Sequence, residues 1–578
     1  MAELIIMPKL GFNMREGKLV AWYKKKGETV VKGEPLFSVE TDKTNIDIDA
    51  TADGVVRELF LEEGDTLPVT LPIAIVAGAE EDIKGLVAEA KEKLAGFVDV
   101  AEAEAPAQET AAAAGEKAED DASYDFDIIV IGGGPGGYVA AIKAAQMGKK
   151  TAIIEKNRFG GTCLNVGCIP TKALIKSAEV FRTVKESLAF GVAGVDPDAL
   201  TIDMAKVQAR KGQVVNQLVS GVEMLLRKNG VKAIAGTAEV KDAHTVLVDG
   251  KPFTTADLIL ATGSKTTMLP IPMSEGMNIL TSTEALALTE VPEEMVIIGG
   301  GVIGMEFAYL LTAMGTKVTV LEFLDRILPM VDEEITQSAT RQMEALGMTI
   351  VTGAKVTEIT DTAVVYEKDG ARCEVATKMV LMAVGRGPNI EGIDTEALGL
   401  VTERGAIKTN ERLETSVPHI YAIGDVNGRV MLAHTSSMEG IVAVRNICGE
   451  KTAMDYDHIP SVIYIQPEIA SVGMTEAQAR IRYDSIKVGR FPLIGNGKAK
   501  IEGETNGMIK VIAEAKYGEI VGVHMQCVHA ADMIAEAALS MKLEATAEEV
   551  AMTVHPHPSI SEIMQEAMHA VDGSAIHF

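Results

Sequence analysis

Two cysteines lie close together in the segment FGGTCLNVGCIPTKAL (159–174). Cys163 and Cys168 are separated by four residues, and Pro170, a residue favoured at the first position of a helix, follows closely. A helix N-terminus stabilises a thiolate, which a redox-active cysteine pair needs. The spacing alone is equally consistent with two small buried residues in a turn. A zinc site is poorly supported, because the other cysteines stand alone in the sequence, at Cys373, Cys448 and Cys527.

A second candidate for chemistry is the segment HPHPSISE (555–562) near the end of the chain. Ser559 and Glu562 fit the capping-box pattern Ser-x-x-Glu, which predicts a helix start beside a surface histidine. A carboxylate that meets one ring nitrogen of a histidine also makes the ring a good general base. The residues leave these two interpretations of His557 and Glu562 open.

Two glycine-rich segments of the chain repeat each other at a constant shift of 167 positions. Each follows an apolar strand, begins a helix, and precedes an acid at the end of a second strand. Glycines in such a turn let a pyrophosphate approach a helix N-terminus, and the acid accepts ribose hydroxyls. The alternative is a pair of tight turns without a ligand. The pattern favours two dinucleotide sites, for FAD and a nicotinamide cofactor, at Gly132, Gly134, Gly137 and Glu155 and at Gly299, Gly301, Gly304 and Glu322.

The second glycine segment, 295–315, is apolar enough to resemble a membrane span. Three glycines in its first third and the acid Glu306 favour instead a buried strand, a glycine turn and a packed helix. We therefore predict no membrane association.

The first 77 residues form a separate small module with its own repeat. Residues 27–39 match residues 64–76 at a shift of 37, with Gly27 on Gly64 and Pro35 on Pro72. Two similar strand pairs predict a pseudo-symmetric β-sandwich. The acidic, alanine-rich stretch 78–123 that follows predicts a flexible linker, with a short helix over 82–94.

Composition restricts the function classes further. The chain has 578 residues and a net charge of −28, which argues against nucleic acid binding. The first residues predict neither a signal peptide nor a transit peptide, so we expect a cytoplasmic protein. Five cysteines are too few for a disulfide framework in so long a chain.

The order of motifs from residue 124 onward resembles the pyridine nucleotide:disulfide oxidoreductase family. After GGTCLNVGCIPTK come ATGS (261–264), AVGRGPN (383–389), IYAIGD (420–425) and HPHPSISE (555–562). The resemblance implies an α/β chain with two Rossmann-like dinucleotide-binding domains and an α+β dimerisation domain, preceded by the all-β module. The implied boundaries are 1–77 for that module, 78–123 for the linker, 124–272 and 390–456 for the FAD-binding domain, 273–389 for the NAD-binding domain and 457–578 for the interface domain.

The resemblance also implies roles for individual residues. Cys168 would lie next to the flavin, and Cys163 would exchange with substrate. Lys172 would lie near the flavin and pair with Glu306. His557 would be the base, oriented by Glu562, both reaching into the active site of the other subunit, although Pro556 and Ser559 depart from the family's usual HAHPT. Further implied contacts are Gly263, Asp425 and Ala433 with FAD, with Asp425 on its ribityl chain, and Glu306 and Gly385 with NAD.

Residues 1–77 resemble a lipoyl domain, with Lys43 of VETDKTNIDI at a hairpin turn between the repeat halves. An unmodified hairpin lysine is the simplest alternative. A biotinyl domain is the other, but that family favours Met beside the lysine, where this chain has Asp42. The resemblance therefore implies lipoate on Lys43.

The implied reaction is the reoxidation of protein-bound dihydrolipoyl groups by NAD⁺. A homodimer would serve the lipoyl-bearing acyltransferase of a 2-oxo acid or acetoin dehydrogenase complex. Glutathione reductase-like members prefer NADP, whose phosphate Glu322 would repel, and mercuric reductases carry a C-terminal cysteine pair that AVDGSAIHF lacks. Intact cysteines and nucleotide motifs argue against an inert carrier or scaffold.

Overall fold

The computed structural model describes residues 2–8, 16–40, 45–79, 81–103 and 124–578. The chain divides into two compact units, Met1–Asp121 and Ala122–Phe578. In the parts of the chain so described, no helix is both long and apolar enough to span a bilayer.

The described residues of the first unit form two four-stranded antiparallel sheets and one helix. Its elements are β1 (Glu3–Ile6), β2 (Glu16–Trp22), β3 (Thr29–Val30), β4 (Pro35–Glu40), β5 (Asn45–Asp49), β6 (Gly54–Leu59), β7 (Thr66–Pro68), β8 (Pro72–Ala77) and α1 (Lys84–Ala103).

The sheet orders β1-β8-β6-β3 and β5-β4-β2-β7 confirm the pseudo-symmetric sandwich. A shift of 37 residues places β2 on β6, β3 on β7 and β4 on β8. Each repeat half therefore gives two adjacent strands to one sheet and its third strand to the other. Apolar side chains from both sheets fill the core, among them Leu19, Phe37 and Ile73, all fully buried.

Helix α1 is longer than the helix that the sequence predicts over 82–94, since it extends to Ala103. The rest of the predicted linker, 104–123, lies outside the described residues, as does Lys43.

The second unit contains the remaining strands and helices. Its strands are β9 (Phe126–Ile131), β10 (Thr151–Glu155), β11 (Lys232–Ala235), β12 (Ala238–Asp242), β13 (Thr245–Val248), β14 (Lys251–Leu260), β15 (Ser264–Thr266), β16 (Asn278–Leu280), β17 (Glu294–Ile298), β18 (Lys317–Leu321), β19 (Thr349–Val351), β20 (Lys355–Ile359), β21 (Ala363–Lys368), β22 (Ala371–Ala376), β23 (Met379–Met382), β24 (Arg386–Pro388), β25 (Thr402–Glu403), β26 (Ala406–Ile407), β27 (Ile420–Ala422), β28 (Ser461–Ile463), β29 (Glu468–Gly473), β30 (Ile486–Pro492), β31 (Met508–Glu514) and β32 (Ile520–Cys527). Its helices are α2 (Pro135–Gln146), α3 (Gly161–Val166), α4 (Cys168–Lys185), α5 (Met204–Lys228), α6 (Ser282–Ala285), α7 (Val302–Met314), α8 (Glu333–Ala345), α9 (Ala433–Ile447), α10 (Glu476–Arg482), α11 (Gly497–Glu502), α12 (Ala530–Lys542), α13 (Ala547–Ala551) and α14 (Glu562–Val571), with 3₁₀ turns at Ser187–Phe190, Gly424–Asn427 and Leu493–Gly495.

Two parallel sheets carry the glycine segments. In the first sheet β11, β10, β9 and β14 are neighbours, and β27 pairs with β14, so the chain returns to this sheet about 160 residues later. The second sheet has the order β16-β23-β17-β18-β19. Residues 295–315 form β17, a glycine turn and α7, which confirms the predicted strand, turn and helix.

The last part of the unit is a five-stranded antiparallel sheet in the order β28-β29-β32-β31-β30. Apolar side chains of α12, α13 and α14 pack against it, including Ile534, Val550 and Ile563. This α+β arrangement and the two parallel sheets confirm the predicted fold class. The segment 555–562 leads from α13 into α14, two of the helices that pack against this sheet.

Candidate active site

The two cysteines lie at the start of consecutive helices. Cys163 is in the short helix α3, and Cys168 is the first residue of α4. The sequence predicts a helix start at Pro170, but the helix begins two residues earlier, because Gly167 supplies the cap. Cys168 thus lies within the first turn, where the unpaired N–H groups favour a thiolate. Both side chains are partly buried, and both are free thiols.

The surroundings of the two thiols shift their pKa values in opposite directions. The Cys163 thiol donates a hydrogen bond to Cys168, and this bond together with the charge of Lys172 lowers the pKa of Cys168 to about 7, although burial opposes the shift. The same hydrogen bond and burial raise the pKa of Cys163. In the reduced pair, Cys168 is therefore the thiolate and Cys163 the protonated donor.

Lys172 lies one turn after Cys168 on α4, and its ammonium is held from α7. Its Nζ lies 2.8 and 2.7 Å from the two carboxylate oxygens of Glu306. Glu306 also accepts the N–H of Tyr464 at 3.1 Å, and the Tyr464 ring centroid lies 4.7 Å from Nζ. The expected ion pair is present, and it gives the buried acid on α7 a partner.

Each glycine segment forms a concave backbone turn, here called a cradle, in which a side chain would not fit. At Gly132 φ is +108° and an added Cβ would lie 2.2 Å from the Ala261 carbonyl oxygen. At Gly299 φ is +110° and the same atom would lie 2.4 Å from the Ala383 carbonyl oxygen. Both positions require glycine on grounds of conformation and space.

The two cradles are also alike in how helices and acids surround them. Gly134 and Gly301 are the N-caps of α2 and α7, and Gly137 and Gly304 each lie over the carbonyl of the first glycine of their segment. Such backbone N–H groups at a helix start suit a pyrophosphate.

The acids at the strand ends hold the glycine turns by hydrogen bonds. Glu155 accepts the N–H groups of Gly133 and Asn157, both at 2.7 Å. Glu322 accepts those of Gly300 at 2.5 Å and Leu324 at 2.8 Å. Each carboxylate oxygen retains acceptor capacity for a ribose hydroxyl.

A cavity of about 1820 Å³ connects these features within the second unit. Both cysteines, both glycine turns and both strand-end acids line it, which suits two dinucleotides that meet near a thiol pair. No cluster of metal-ligating side chains occurs among the residues that the structure describes. Other predicted residues that line the cavity are Lys172, Gly263, Glu306, Gly385, Asp425 and Ala433.

Arg386 is a charged residue in this cavity that the sequence analysis did not select. Its Nε and Nη2 donate to the Oγ and the carbonyl of Ser264 at 2.8 and 2.7 Å. The Ser264 hydroxyl donates in turn to Asp425. The motifs ATGS, AVGRGPN and IYAIGD contain these three residues, so each motif signalled the region, but the contact of Arg386 with Ser264 follows from the pairing of β15 with β24.

His557 lies between α13 and α14, with 78% of its side chain exposed. Its Nδ1 is 2.8 Å from Glu562 Oε1, so this nitrogen donates and Nε2 is left for another partner. Against the effect of burial, the Ser559 N–H and His557 hold the pKa of Glu562 below its usual range. The predicted capping box is wrong in one respect: the helix begins at Glu562 with Ser561 as its N-cap, and the Ser559 hydroxyl contacts that of Ser561 instead.

Family comparisons agree with this architecture. The model described as "Pyridine nucleotide-disulphide oxidoreductase" matches residues 126–440, and that of the family's dimerisation domain matches 459–568. The biotin/lipoyl domain model, described as "Biotin-requiring enzyme", matches residues 3–76.

Individual proteins are similar over most of the chain. A dihydrolipoyl dehydrogenase of Bacillus subtilis is 43% identical over 474 residues, covering 78% of this chain and 99% of that protein. One from Mycobacterium tuberculosis is 41% identical over 466 residues, with the same coverage of each chain. The structure of the HOCl-induced flavoprotein disulfide reductase RclA from Escherichia coli superposes with a TM-score of 0.68 at 29% identity, over 76% of this chain and 99% of that one.

The chain thus belongs to the pyridine nucleotide-disulphide oxidoreductases, as its motifs predict. Within that family it is similar to dihydrolipoyl dehydrogenases, preceded by a domain of the biotin/lipoyl type.

Proposed function

We propose that this protein is a dihydrolipoyl dehydrogenase that reoxidises protein-bound dihydrolipoyl groups with NAD⁺. The observation that supports this most directly is the pair of thiols with unequal pKa values, Cys163 and Cys168, in a cavity that two dinucleotide cradles also line. The relatives named above support the choice of a dihydrolipoyl substrate.

The thiol reaction uses residues of this chain. The oxidised enzyme holds Cys163 and Cys168 as a disulfide. His557 takes a proton from one thiol of the substrate, whose sulfur attacks Cys163 Sγ and releases Cys168 as a thiolate. The second substrate thiol passes its proton to Cys163 as its sulfur attacks the first, which closes the lipoyl disulfide and leaves Cys163 as a thiol. Glu562 keeps the proton of His557 on Nδ1 and stabilises the imidazolium.

The base comes from a partner subunit in this proposal. The family's dimerisation domain supports a homodimer. In the described part of the chain, His557 is not among the residues that line the cavity of its own subunit, and its exposed ring is free to enter that of the other.

Residues of the first parallel sheet would hold FAD. Gly132, Gly134 and Gly137 form the pyrophosphate cradle, Glu155 and Asp425 the hydroxyl acceptors, and Gly263 and Ala433 further contacts. When bound, FAD accepts the electron pair of the reduced thiols and supplies hydride to NAD⁺. Lys172, held by Glu306, keeps a positive charge beside the thiolate that gives up the electrons.

Residues of the second sheet would hold NAD⁺. Gly299, Gly301 and Gly385 line its cradle, Gly304 lies over the Gly299 carbonyl, and Glu322 accepts the ribose hydroxyls. A 2′-phosphate would place negative charge against that carboxylate, so NAD⁺ is preferred to NADP⁺.

The N-terminal domain carries lipoate on Lys43 in this proposal, and the domain match supports a covalent carrier. The dimer would oxidise the lipoyl acyltransferase of a 2-oxo acid or acetoin dehydrogenase complex. We place it in the cytoplasm, where a reducing medium keeps Cys373, Cys448 and Cys527 as the free thiols seen here.

The test is turnover of dihydrolipoamide and NAD⁺ by the FAD-loaded protein and by Cys163→Ser and Cys168→Ser. Both variants should lose the reaction, while Cys448→Ser, a control outside the cavity, should keep it. Retained turnover in either cavity variant, or none in the unaltered protein, would contradict the proposal.

A further inference from the structure

A second histidine–glutamate pair lies directly beside the proposed base. His555 precedes His557 by two residues, yet only 5% of its side chain is exposed. Its Nε2 is 2.9 Å from Oε1 of Glu536 on α12, and its Nδ1 is 2.9 Å from the carbonyl oxygen of Thr553.

The two partners of His555 determine its protonation. A carbonyl oxygen only accepts, and so does an ionised carboxylate, so both ring nitrogens must carry hydrogen to satisfy them. The hydrogen bond to Glu536 raises the pKa of His555, in agreement with that geometry. His555 is therefore a buried imidazolium, unlike His557, which keeps one nitrogen free.

The pair ties the segment before the base to two helices. The Thr553 carbonyl accepts from His555 and also from Nε2 of Gln565 on α14, at 3.2 Å. Gln565 donates to the Ala551 carbonyl as well, at 3.0 Å. The backbone that precedes His557 is thus held from α12 through Glu536 and from α14 through Gln565.

The segment after the base is held separately. The Ser559 N–H donates to Glu562 at 2.9 Å, and the Ser559 carbonyl accepts from Nδ2 of Asn496 at 3.0 Å. Among the described residues, Glu562 is the one side chain that forms a hydrogen bond with the exposed ring of His557. Its position therefore depends on the two anchored segments that flank it.

We propose that His555 and Glu536 are a positioning pair, whose two hydrogen bonds hold the backbone that presents His557 Nε2 to the substrate thiol. This inference rests on the proposed function, since it assigns His555 a part in that reaction only. A base displaced by a fraction of a bond length loses much of its effect, because proton transfer needs hydrogen-bond geometry.

The proposal has a pH signature. The charged groups that act on His555 are Glu536 from α12 and Glu562 from the start of α14. As pH rises through the raised pKa of His555, the ring loses one proton and with it one of the two bonds. Turnover of dihydrolipoamide should fall over that range.

Glu536→Gln separates this effect from structural damage. A glutamine can donate its amide N–H to Nε2 of a neutral His555, whose Nδ1 still donates to Thr553. Both bonds then survive at every pH. The variant should keep kcat within about twofold at neutral pH and lose the alkaline fall that His555 causes.

The experiment measures kcat and KM for dihydrolipoamide and NAD⁺ against pH in the full-length, FAD-loaded protein. NADH oxidation by ferricyanide, which bypasses the thiol base, serves as the internal control. His555→Gln should lower kcat for dihydrolipoamide about tenfold, with little change in KM or in the ferricyanide rate. His458→Gln is the matched control, because it breaks another histidine–carboxylate pair of this domain, at 2.8 Å from Asp455, and should leave kcat unchanged.

Two results would overturn the positioning role. One is a His555→Gln variant with kcat within twofold of the unaltered protein. The other is a Glu536→Gln variant that keeps the alkaline fall, which decides the matter even if His555→Gln does not fold. Absent turnover in the unaltered protein would instead refute the proposed function.

Discussion

The unequal thiols of the cysteine pair lead to the sharpest prediction. In the reduced protein the pKa of Cys168 falls from 9.0 to about 7, with the Cys163 hydrogen bond as the largest cause. Two pKa units correspond to about 3 kcal/mol in favour of the Cys168 thiolate. In Cys163→Ala that donor is lost while burial remains, so we expect the pKa of Cys168 to return to at least its ordinary value.

The consequence at neutral pH is large. With a pKa near 7 about half of Cys168 is thiolate at pH 7, and with a pKa near 9 about 1% is, so alkylation should slow about 50-fold. The assay reduces the protein, treats it with iodoacetamide between pH 5 and pH 10, and follows the Cys168 peptide by mass spectrometry. Cys448→Ala is the control and should leave the midpoint unchanged.

The shifted pKa values of the two thiols also make the stability of the reduced protein depend on pH. The lowered pKa of Cys168 contributes stability to the reduced fold that is complete at about pH 9 and is lost as pH falls through about 7. Above pH 9 the raised pKa of Cys163 opposes it, because the unfolded state then loses a proton that the folded state keeps. An alkylation midpoint near 9 in the unaltered protein, or one near 7 in Cys163→Ala, would refute the reasoning.

The remaining predictions concern the ion pair, the coenzyme, the base and the lipoyl arm. Lys172→Met should lower the free energy of unfolding in urea by about 2 kcal/mol, because it leaves the buried Glu306 without its cation; an unchanged urea midpoint would contradict this. Glu322→Gln should reduce the preference for NAD⁺ over NADP⁺ in kcat/KM by about tenfold, and an unchanged ratio would remove Glu322 from the ribose site. His557→Gln should lower kcat for dihydrolipoamide at least about 10²-fold and spare ferricyanide reduction, whereas equal losses would indicate a fault in the flavin site. Lys43→Arg should abolish reduction of the protein's own lipoyl group by NADH yet spare free lipoamide. In lipoylated protein that self-reduction should have a rate per site independent of protein concentration, and a rate proportional to concentration would refute delivery within one dimer.

Local and repeated patterns of the sequence were sufficient for the main elements. The shift of 167 residues identified two strand–turn–helix units, and the shift of 37 identified a sandwich of two related halves. Glycines at turns and apolar periodicity act over a few neighbouring residues, so they can be read without knowing the fold. Element limits were less certain: α1 extends to Ala103, and α4 begins at Cys168 and α14 at Glu562, because caps depend on backbone contacts outside the pattern.

The contacts that give the site its chemistry were decided by the tertiary structure. Lys172 and Glu306 are 134 residues apart, and no spacing in the chain predicts that they pair. Only the family resemblance led us to expect this ion pair. Arg386 meets Ser264 across 122 residues through a strand pairing. His555 differs from an ordinary surface histidine only because α12 places Glu536 beside its second nitrogen. Such contacts depend on which strands and helices become neighbours, and that choice is made by packing over the whole domain, which local periodicity does not encode.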